Sequence, residues 1–331
     1  MNYIGSKHKL NPWILEIISK TVNKPLSELI FCDLFAGTGA VGRNFKPLVK
    51  QVIANDIEYY SYVLLQNYIG NHQKLNYENI LEELNNLPPQ KGFIFENYSD
   101  GGSAGRLYFS NENGQKIDAV RTGIETLKTS GKIDDGMFFF LLASLIENAD
   151  KVANTASVYG AFLKHIKKSA AKTFVLEPAI FDETENPHQV FCEDANLLVK
   201  KISGDVLYLD PPYNARQYGA NYHLLNTIAK YDTFVPLGKT GLRNYEKSNY
   251  CKKGEVAKSF EELIKNAQFQ YVFLSYNNEG LMTEEEVKTI MKRYGNYSLK
   301  TKKYQRFKAD KTENRNHKAD ATFEYLHILE K

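Results

Sequence analysis

Short apolar runs with an aspartate at or near the end recur along the chain and predict the strands of a parallel sheet. These runs occupy residues 29–34, 51–56, 190–195 and 205–209. The aspartates at or close to their ends are Asp33, Asp56, Asp194 and Asp210. Because parallel strands present their carboxyl ends at one edge of a sheet, we expect the four carboxylates to surround one polar ligand.

Apolar residues at helical spacing predict helices between and beyond these strands. The predicted helices cover residues 14–18, 59–87, 116–130, 134–150, 223–230 and 284–293. Residues 97–115, rich in Gly, Ser and Asn, are predicted to form a loop. Residues 298–303 and 322–329 are predicted to pair as antiparallel strands. The fold class is therefore α/β, with a doubly wound, mostly parallel sheet that has an antiparallel edge.

The sequence Asp-Pro-Pro-Tyr directly follows the strand predicted over residues 205–209. Proline has a fixed φ and no N–H, so Pro211 presents a carbonyl on a stiff turn that Pro212 continues. The Asp210 carboxylate and the Pro211 carbonyl form a pair of acceptors beside the flat ring of Tyr213. This arrangement suits a planar ring that carries an exocyclic amine, because the acceptors bind the amine and the tyrosine stacks on the ring.

A glycine-rich segment, residues 35–42, follows the strand predicted over residues 29–34. Glycines allow the backbone to turn tightly and approach a ligand, but the Gly-Lys-Ser/Thr ending of a triphosphate-binding loop is missing. Asp56 lies about 20 residues further on, the spacing at which an acidic residue binds ribose hydroxyls. The alternative for Asp56 is a cap for the helix that follows it.

The composition limits the classes of protein that the sequence fits. The 331 residues are 43% hydrophobic and 24% charged, as in a globular protein, and a net charge of +3 means that nucleic-acid binding requires a local basic face. The three cysteines are far apart and without metal-ligand spacing, which indicates a reducing compartment and no metal site. The sequence shows neither a signal peptide nor an apolar run of about 18 residues, so we expect a cytoplasmic protein without membrane contact.

Basic residues are interleaved with aromatic residues in three segments, which cover residues 154–172, 232–258 and 306–317. This pattern favours a nucleic-acid groove, with a solvated surface or a mobile loop as the alternative.

The order of these segments resembles that of adenine-N6 DNA methyltransferases of the Dam-like (alpha, D12) class, of the restriction-modification type. The resemblance covers nearly the whole chain and is most specific in three places. These are Asn-Tyr-Ile-Gly-Ser-Lys at residues 2–7, Asp-Leu-Phe-Ala-Gly-Thr-Gly at residues 33–39, and Asp-Pro-Pro-Tyr-Asn-Ala-Arg-Gln-Tyr at residues 210–218. It implies the class I methyltransferase fold, with a catalytic domain formed by residues 1–70 and 175–331 and a largely helical target-recognition insert at residues 71–174.

The resemblance also implies roles for individual residues. The cofactor S-adenosylmethionine would be bound by Tyr3, Lys7, Asp33, Phe35, Gly37, Gly39, Asp56, Ile57 and Asp194. In this set Asp56 binds the ribose, Ile57 contacts the cofactor adenine and Asp194 accepts from its amine. The catalytic residues would be Asp210, Pro211, Pro212 and Tyr213. Apart from the resemblance, the basic and aromatic residues lead us to expect DNA contacts at Lys164, Lys168, Arg216, Tyr218, Arg243 and Lys247, and no metal is expected.

The expected activity is site-specific methylation of the adenine N6 amine in double-stranded DNA, which protects host DNA from a cognate restriction enzyme. The resemblance also implies a bacterial or phage context and a possible functional pairing with a restriction endonuclease, and it implies no physical contact between the two proteins. The alternatives are methylation of RNA adenine or of cytosine N4, and a catalytically silent DNA-binding protein on the same fold. Cytosine enzymes more often have serine where Asp210 stands, which favours adenine.

Overall fold

The computed structural model describes Gly5 and residues 7–304 and 322–331. The predicted cofactor contact Tyr3 and the basic segment at residues 306–317 lie outside the described residues. Within them, the chain forms one mixed sheet of seven strands in the order β3-β2-β1-β4-β5-β7-β6. The strands are β1 (Ile30–Asp33), β2 (Gln51–Asn55), β3 (Gln189–Phe191), β4 (Ser203–Leu209), β5 (Gln268–Asn277), β6 (Asn296–Tyr304) and β7 (Thr322–Glu330).

Strands β1 to β5 are paired in parallel, and β7 lies antiparallel between β5 and β6. The predicted α/β fold class with its antiparallel edge is confirmed. The chain order reverses between β1 and β4, and ligands of open α/β sheets bind at such a switch point. Asp33 ends β1 and Asp210 follows β4, so both carboxylates belong to that edge.

Helices cover both faces of the sheet. In the described residues they are α1 (Asn11–Thr21), α2 (Ala40–Phe45), α3 (Tyr59–Leu65), α4 (Glu78–Asn85), α5 (Phe93–Tyr98), α6 (Asn111–Thr129), α7 (Asp135–Lys151), α8 (Ala195–Leu198), α9 (Tyr218–Asn221), α10 (His223–Lys230), α11 (Val256–Asn266) and α12 (Glu284–Met291). One apolar cluster packs α1 and α2 on the sheet, and a second packs α11 and α12 on its other face. None of these helices is both long enough and apolar enough to cross a membrane.

The prediction of a single helix over residues 59–87 is wrong. Helix α3 continues as a π-helical turn at Gln66–Gly70, the chain is then extended from Asn71, and α4 follows separately. The buried ammonium of Lys46 binds the carbonyls of Tyr68 and Asn71. A lysine therefore satisfies carbonyl groups that a continuous helix would have paired with its own N–H groups.

The loop predicted over residues 97–115 is shorter than expected. Helix α5 extends to Tyr98, and α6 already begins at Asn111. The Ser110 side chain accepts a hydrogen bond from the Asn113 amide, which fixes the start of α6. A serine within a Gly/Ser/Asn-rich stretch acts here as a helix cap, a role that composition alone does not reveal.

The helices of the predicted insert share a core with the rest of the chain. Tyr60 and Val63 of α3 pack in the same cluster as Ile117 of α6, Phe140 of α7 and Leu224 of α10. The division into residues 1–70 with 175–331 and an insert at 71–174 stays a prediction. The shared cluster nevertheless means that the insert rests on α3 and α10, the helices next to the strand-end loops.

Candidate active site

A cavity opens at the carboxyl edge of the sheet, between the ends of β1, β2, β3 and β4. Its walls contain these predicted site residues: Lys7, Asp33, Phe35, Gly37, Asp56, Ile57, Asp194, Asp210, Pro212, Tyr218 and Lys247. The structure thus brings together residues from six separate segments of the sequence. Gly39 lies in the same loop as Gly37 but is not among the wall residues, and neither are Pro211 and Tyr213.

The glycine-rich loop after β1 is shaped by two carboxylates. Asp33 Oδ2 accepts from the Gly42 amide at 2.9 Å, and Asp56 Oδ2 accepts from the Gly37 amide at 2.9 Å. Gly37 and Gly39 have φ values of 55° and 79°, in the left-handed region that favours glycine. The glycines let the loop turn, and the two aspartates hold the turn against the sheet edge.

Asp194 caps a short helix. Its Oδ1 accepts from the amides of Asn196 at 2.9 Å and Leu197 at 3.1 Å, at the start of α8. The neighbouring loop is held by Asn55, whose side chain donates to the carbonyls of Leu34 and Glu193. Asn55 therefore fixes the ends of β1 and β3 relative to each other, and it also lines the cavity.

Within the part of the chain that the structure describes, Asp210 pairs with a cation and not with a loop amide. Its Oδ1 lies 3.2 Å from Nζ of Lys7, which is itself 5% exposed. Lys7 Nζ also lies 3.7 Å from Oε2 of Glu324 on β7 and 5.9 Å from the centre of the Tyr213 ring. The predicted catalytic carboxylate thus belongs to a buried charge cluster that joins the N-terminal segment, β4 and β7.

Burial dominates the acid–base properties of the cavity. It raises the pKa of Asp33 to about 7, of Asp56 to about 6 and of Glu58 to about 7. Burial also raises the pKa of Asp210 to about 6, against the opposing effect of the Lys7 ammonium. Burial alone would lower the pKa of Lys7, but the carboxylates of Asp210 and Glu324 raise it above its ordinary value. Lys7 therefore remains a cation throughout the neutral pH range.

A segment after α10 closes one side of the cavity. The Tyr250 ring meets the Phe35 ring edge to face at 4.9 Å between centroids. The Gln217 side chain pairs with the backbone of Ser248, accepting from its amide at 2.9 Å. This closing segment, residues 246–250, was predicted as part of a nucleic-acid groove or a mobile loop, and in the structure it supplies part of the cavity wall.

The residues predicted to contact DNA lie in three kinds of environment. Lys164, Lys168 and Arg216 are exposed on loops. Tyr218 and Lys247 line the cavity, where Tyr218 stacks on Tyr222 with 6.1 Å between ring centroids.

Arg243 differs from the other five. It is 8% exposed and forms two hydrogen bonds with the carboxylate of Asp232, at 2.9 and 2.8 Å. Its guanidinium also lies over the ring of Phe234, with its central carbon 4.9 Å from the ring centre. This environment favours a role in holding the loop after α10, in place of the expected DNA contact.

Sequence reasoning missed Glu58 and Glu324. Glu58 lines the cavity and accepts from the Asn226 side chain at 2.6 Å. Glu324 stands on the core-facing side of its strand, where the next two positions are the apolar Leu326 and Ile328, and this break in the pattern was the available signal. In the described part of the chain, no three His, Cys, Asp or Glu side chains are grouped closely enough to hold a metal ion.

Comparisons with known proteins agree on one family. The model of the D12 class N6 adenine-specific DNA methyltransferases matches residues 3–290. The chain is 63% identical over 332 residues to the Type II methyltransferase M.NlaIII of Neisseria lactamica, covering 100% of this chain and 99% of that protein. It is 39% identical to the Type II methyltransferase M.FokI of Planomicrobium okeanokoites, covering 100% of this chain and 53% of that protein. It is also 39% identical to the Type II methyltransferase M.CviAII of Paramecium bursaria Chlorella virus 1, covering 93% of each.

Proposed function

The chain belongs to the D12 class of N6 adenine-specific DNA methyltransferases, and we propose that Asp210, Pro211 and Tyr213 hold the target adenine in it. Methylation of DNA with S-adenosylmethionine, as part of restriction-modification, is the activity of this family. One observation carries the proposed site. Asp210 directly follows β4 at the switch point of the sheet and has a lysine ammonium as its partner, whereas Asp33, Asp56 and Asp194 accept backbone N–H groups.

The cavity fits an adenosyl group in its chemistry. Phe35 and Ile57 offer apolar surface, and the carboxylates of Asp56, Glu58 and Asp194 offer acceptors for hydroxyl and amine groups. Asp56 would bind the ribose through oxygens that also hold the Gly37 loop, and Glu58 supplies a further acceptor beside it. When bound, S-adenosylmethionine supplies an electrophilic methyl group on a sulfonium.

The residues around Asp210 position the amine and stabilise its growing charge. The target adenine lies inside the duplex, so it must rotate out of the stack, which costs a few kcal/mol. Stacking on Tyr213 returns about 1–3 kcal/mol of that cost. The Asp210 carboxylate and the Pro211 carbonyl accept from the two amine hydrogens, which orients the nitrogen and favours positive charge on it during transfer.

The activity can be tested on DNA from cells. A plasmid recovered from cells that express the chain should contain N6-methyladenine at one short recognition sequence, detected by single-molecule sequencing. The same plasmid from cells that express Asp210→Ala at equal level should contain unmodified adenine at that sequence. Methylation of cytosine, or methylation that persists in Asp210→Ala, would contradict the proposal.

We propose that the DNA backbone lies across Lys164, Lys168 and Arg216, which are exposed on loops. Each phosphate contact that is lost should reduce the slope of log affinity against log salt by about 0.9. Lys164→Ala with Lys168→Ala should therefore weaken DNA binding at low salt and flatten its salt dependence. Lys200→Ala is the matched control, because Lys200 is exposed but pairs with Glu262. A double variant with the salt slope of the parent would exclude these lysines from the DNA face.

The relatives are restriction-modification enzymes, and we propose that this chain protects DNA from a restriction endonuclease of the same specificity. Its substrate is then the cell's own DNA, which places its work in the bacterial cytoplasm. Cloning the chain beside a candidate nuclease gene tests the pairing. DNA methylated by the chain should resist that nuclease, and cleavage of fully methylated DNA would exclude the pair.

A further inference from the structure

A lysine ammonium lies between two carboxylates at the proposed adenine site. Lys7 Nζ is 3.2 Å from Asp210 Oδ1 and 3.7 Å from Glu324 Oε2. The three side chains come from separate parts of the chain, since Lys7 precedes α1, Asp210 follows β4 and Glu324 belongs to β7. Because Lys7 is 5% exposed, its charge is poorly hydrated and depends on these two anions.

Glu324 occupies a position that strand packing normally gives to an apolar residue. It is 8% exposed, and it shares its side of β7 with the buried residues Leu326 and Ile328. Among the described residues, its Oε2 has no hydrogen-bond partner, and it lies within ion-pair distance of Lys7. Burying a carboxylate oxygen without a hydrogen-bond partner costs free energy, which raises the question of what function of Glu324 offsets this cost.

Methyl transfer changes the charge of Asp210 but leaves Lys7 charged. The lone pair of the adenine amine forms the new N–C bond, and the S–C bond breaks with its electron pair remaining on sulfur. The nitrogen then releases a proton, and the Asp210 carboxylate, which accepts a hydrogen bond from this amine in the proposed site, would take it up. The sulfonium and Asp210 both become neutral, so Lys7 would be left as an unpaired buried cation if no second anion were present.

We infer that Glu324 is a positioning residue that keeps Lys7 paired while Asp210 gains and releases the amine proton. This inference rests on the proposed role of Asp210. Before transfer, Lys7 donates to one oxygen of Asp210 and leaves the other oxygen for the amine. After transfer, Glu324 is the anion that balances Lys7. Glu324 contacts neither the base nor the methyl donor, and it acts through the lysine.

The pH dependence of methyl transfer reports this charge cluster. The Asp210 carboxylate, whose pKa burial raises to about 6, is stabilised as an anion by Lys7 and destabilised by Glu324. The other titratable groups that interact with Asp210 are Tyr213, Tyr218, Tyr208 and Asp33. They are unchanged in Glu324→Gln, so this variant should move the acid limb of the profile to lower pH. Lys7→Met should move it to higher pH.

Single-turnover methyl transfer by Glu324→Gln tests the inference. The rate on the pH plateau should fall on the order of tenfold, while the dissociation constants for S-adenosylmethionine and DNA stay within about twofold. Glu324→Asp, which restores the charge on a shorter side chain, should recover part of the rate and return the acid limb toward its original position. Glu330→Gln, at the end of the same strand, should behave like the parent.

A double-mutant cycle separates action through Lys7 from a general structural role. In the Lys7→Met background, Glu324→Gln should change the plateau rate far less than in the parent. A folded Glu324→Gln enzyme with the parent's plateau and acid limb would overturn the inference, as would an undiminished effect in Lys7→Met. If Glu324→Gln does not fold, a plateau rate in Glu324→Asp equal to that of the parent overturns the inference instead. Failure of the proposed function gives a different result, because the Asp210→Ala variant would then still methylate DNA.

Discussion

Four aspartates lie at one edge of the sheet, yet they are held in two different ways. Asp33, Asp56 and Asp194 accept backbone N–H groups from loops or a helix start, whereas Asp210 pairs with the Lys7 side chain. A carboxylate that accepts hydrogen bonds from backbone amides is fixed in position, and it stabilises the loop around it. A carboxylate paired with a side-chain cation can keep an oxygen for a ligand. The contrast separates the residues that build the cavity from the residue that we propose performs its chemistry.

The same contrast explains why charge is handled differently at the two kinds of position. Burial raises the pKa of Asp33 and Asp56 without a cation beside them, and their amide bonds only partly offset it. At Asp210 the ammonium of the buried Lys7 lowers the pKa and so offsets part of the effect of burial. The protein thus keeps Asp210 ionised near neutral pH, the state that accepts hydrogen bonds from an amine.

Removing Asp210 should have the largest effect on activity. Asp210→Ala eliminates the acceptor that we propose orients the amine and stabilises its charge, so single-turnover methyl transfer should fall by about 10³-fold. Asp210→Asn keeps one acceptor oxygen and should retain more of the rate. Both variants should bind S-adenosylmethionine with affinity close to the parent's. Rapid-quench measurements with radiolabelled cofactor give the rate, and a parent-like rate in Asp210→Ala would erase the distinction between Asp210 and the other three aspartates.

Removing Asp56 should mainly weaken cofactor binding. Asp56→Ala releases the Gly37 amide and removes the proposed ribose acceptor, so the dissociation constant for S-adenosylmethionine should rise about 10- to 100-fold. DNA affinity should change little, because we propose that Asp56 contacts the cofactor and not the DNA. Isothermal titration calorimetry measures both affinities. Cofactor affinity equal to the parent's would show that Asp56 neither shapes the loop nor binds the ribose.

Asp33 should affect stability in a pH-dependent way. Its folded-state pKa of about 7 lies above the ordinary value of 3.8, so the folded state binds its proton more tightly than the unfolded state does. The resulting stabilisation is fully present below about pH 4 and is lost as pH rises through about 7. Asp33→Asn should therefore gain about 2 kcal/mol relative to the parent between pH 5 and pH 8. Urea unfolding at both pH values checks this, and equal pH dependence in parent and variant would contradict it.

Asp194 should give the smallest effect of the four. Its loss removes the cap of α8, which is worth about 1 kcal/mol, and the proposed contact with the cofactor amine. Asp194→Asn keeps a capping oxygen and should leave stability nearly unchanged, so any loss of cofactor affinity in it reports the amine contact alone. Thermal unfolding and cofactor titration measure the two quantities. A loss of methyl transfer comparable to that of Asp210→Ala would place Asp194 among the catalytic residues.

The sheet and its ligand-binding edge were predictable because they rest on local patterns. Apolar runs identified the parallel strands, and the aspartates near their ends identified the edge where Asp33, Asp56, Asp194 and Asp210 meet. The π-helical turn at Gln66–Gly70 was not predictable, because it depends on Lys46 reaching carbonyls from another element. Local propensity contains no information about such a contact.

Contacts between charged residues that are far apart in the sequence were the other feature that could not be predicted. Glu324 joins the active site only because β7 inserts between β5 and β6, and that position brings it to Lys7 at the other end of the chain. Arg243 was predicted to contact DNA because its neighbours are basic, but Asp232 lies 11 residues earlier and binds it. The pattern of basic residues therefore predicted a basic surface, but it did not predict which of these basic side chains already pair with an acidic side chain.

The most direct measurement is a crystal structure of the enzyme with duplex DNA and an unreactive analogue of S-adenosylmethionine. The account predicts that the target adenine is rotated out of the duplex and stacks on Tyr213, with its N6 about 3 Å from the Asp210 carboxylate and from the Pro211 carbonyl. The analogue should occupy the cavity between Phe35 and Asp194. An adenine that remains stacked in the duplex, or an N6 held by other residues while Asp210 stays closed on Lys7, would contradict it.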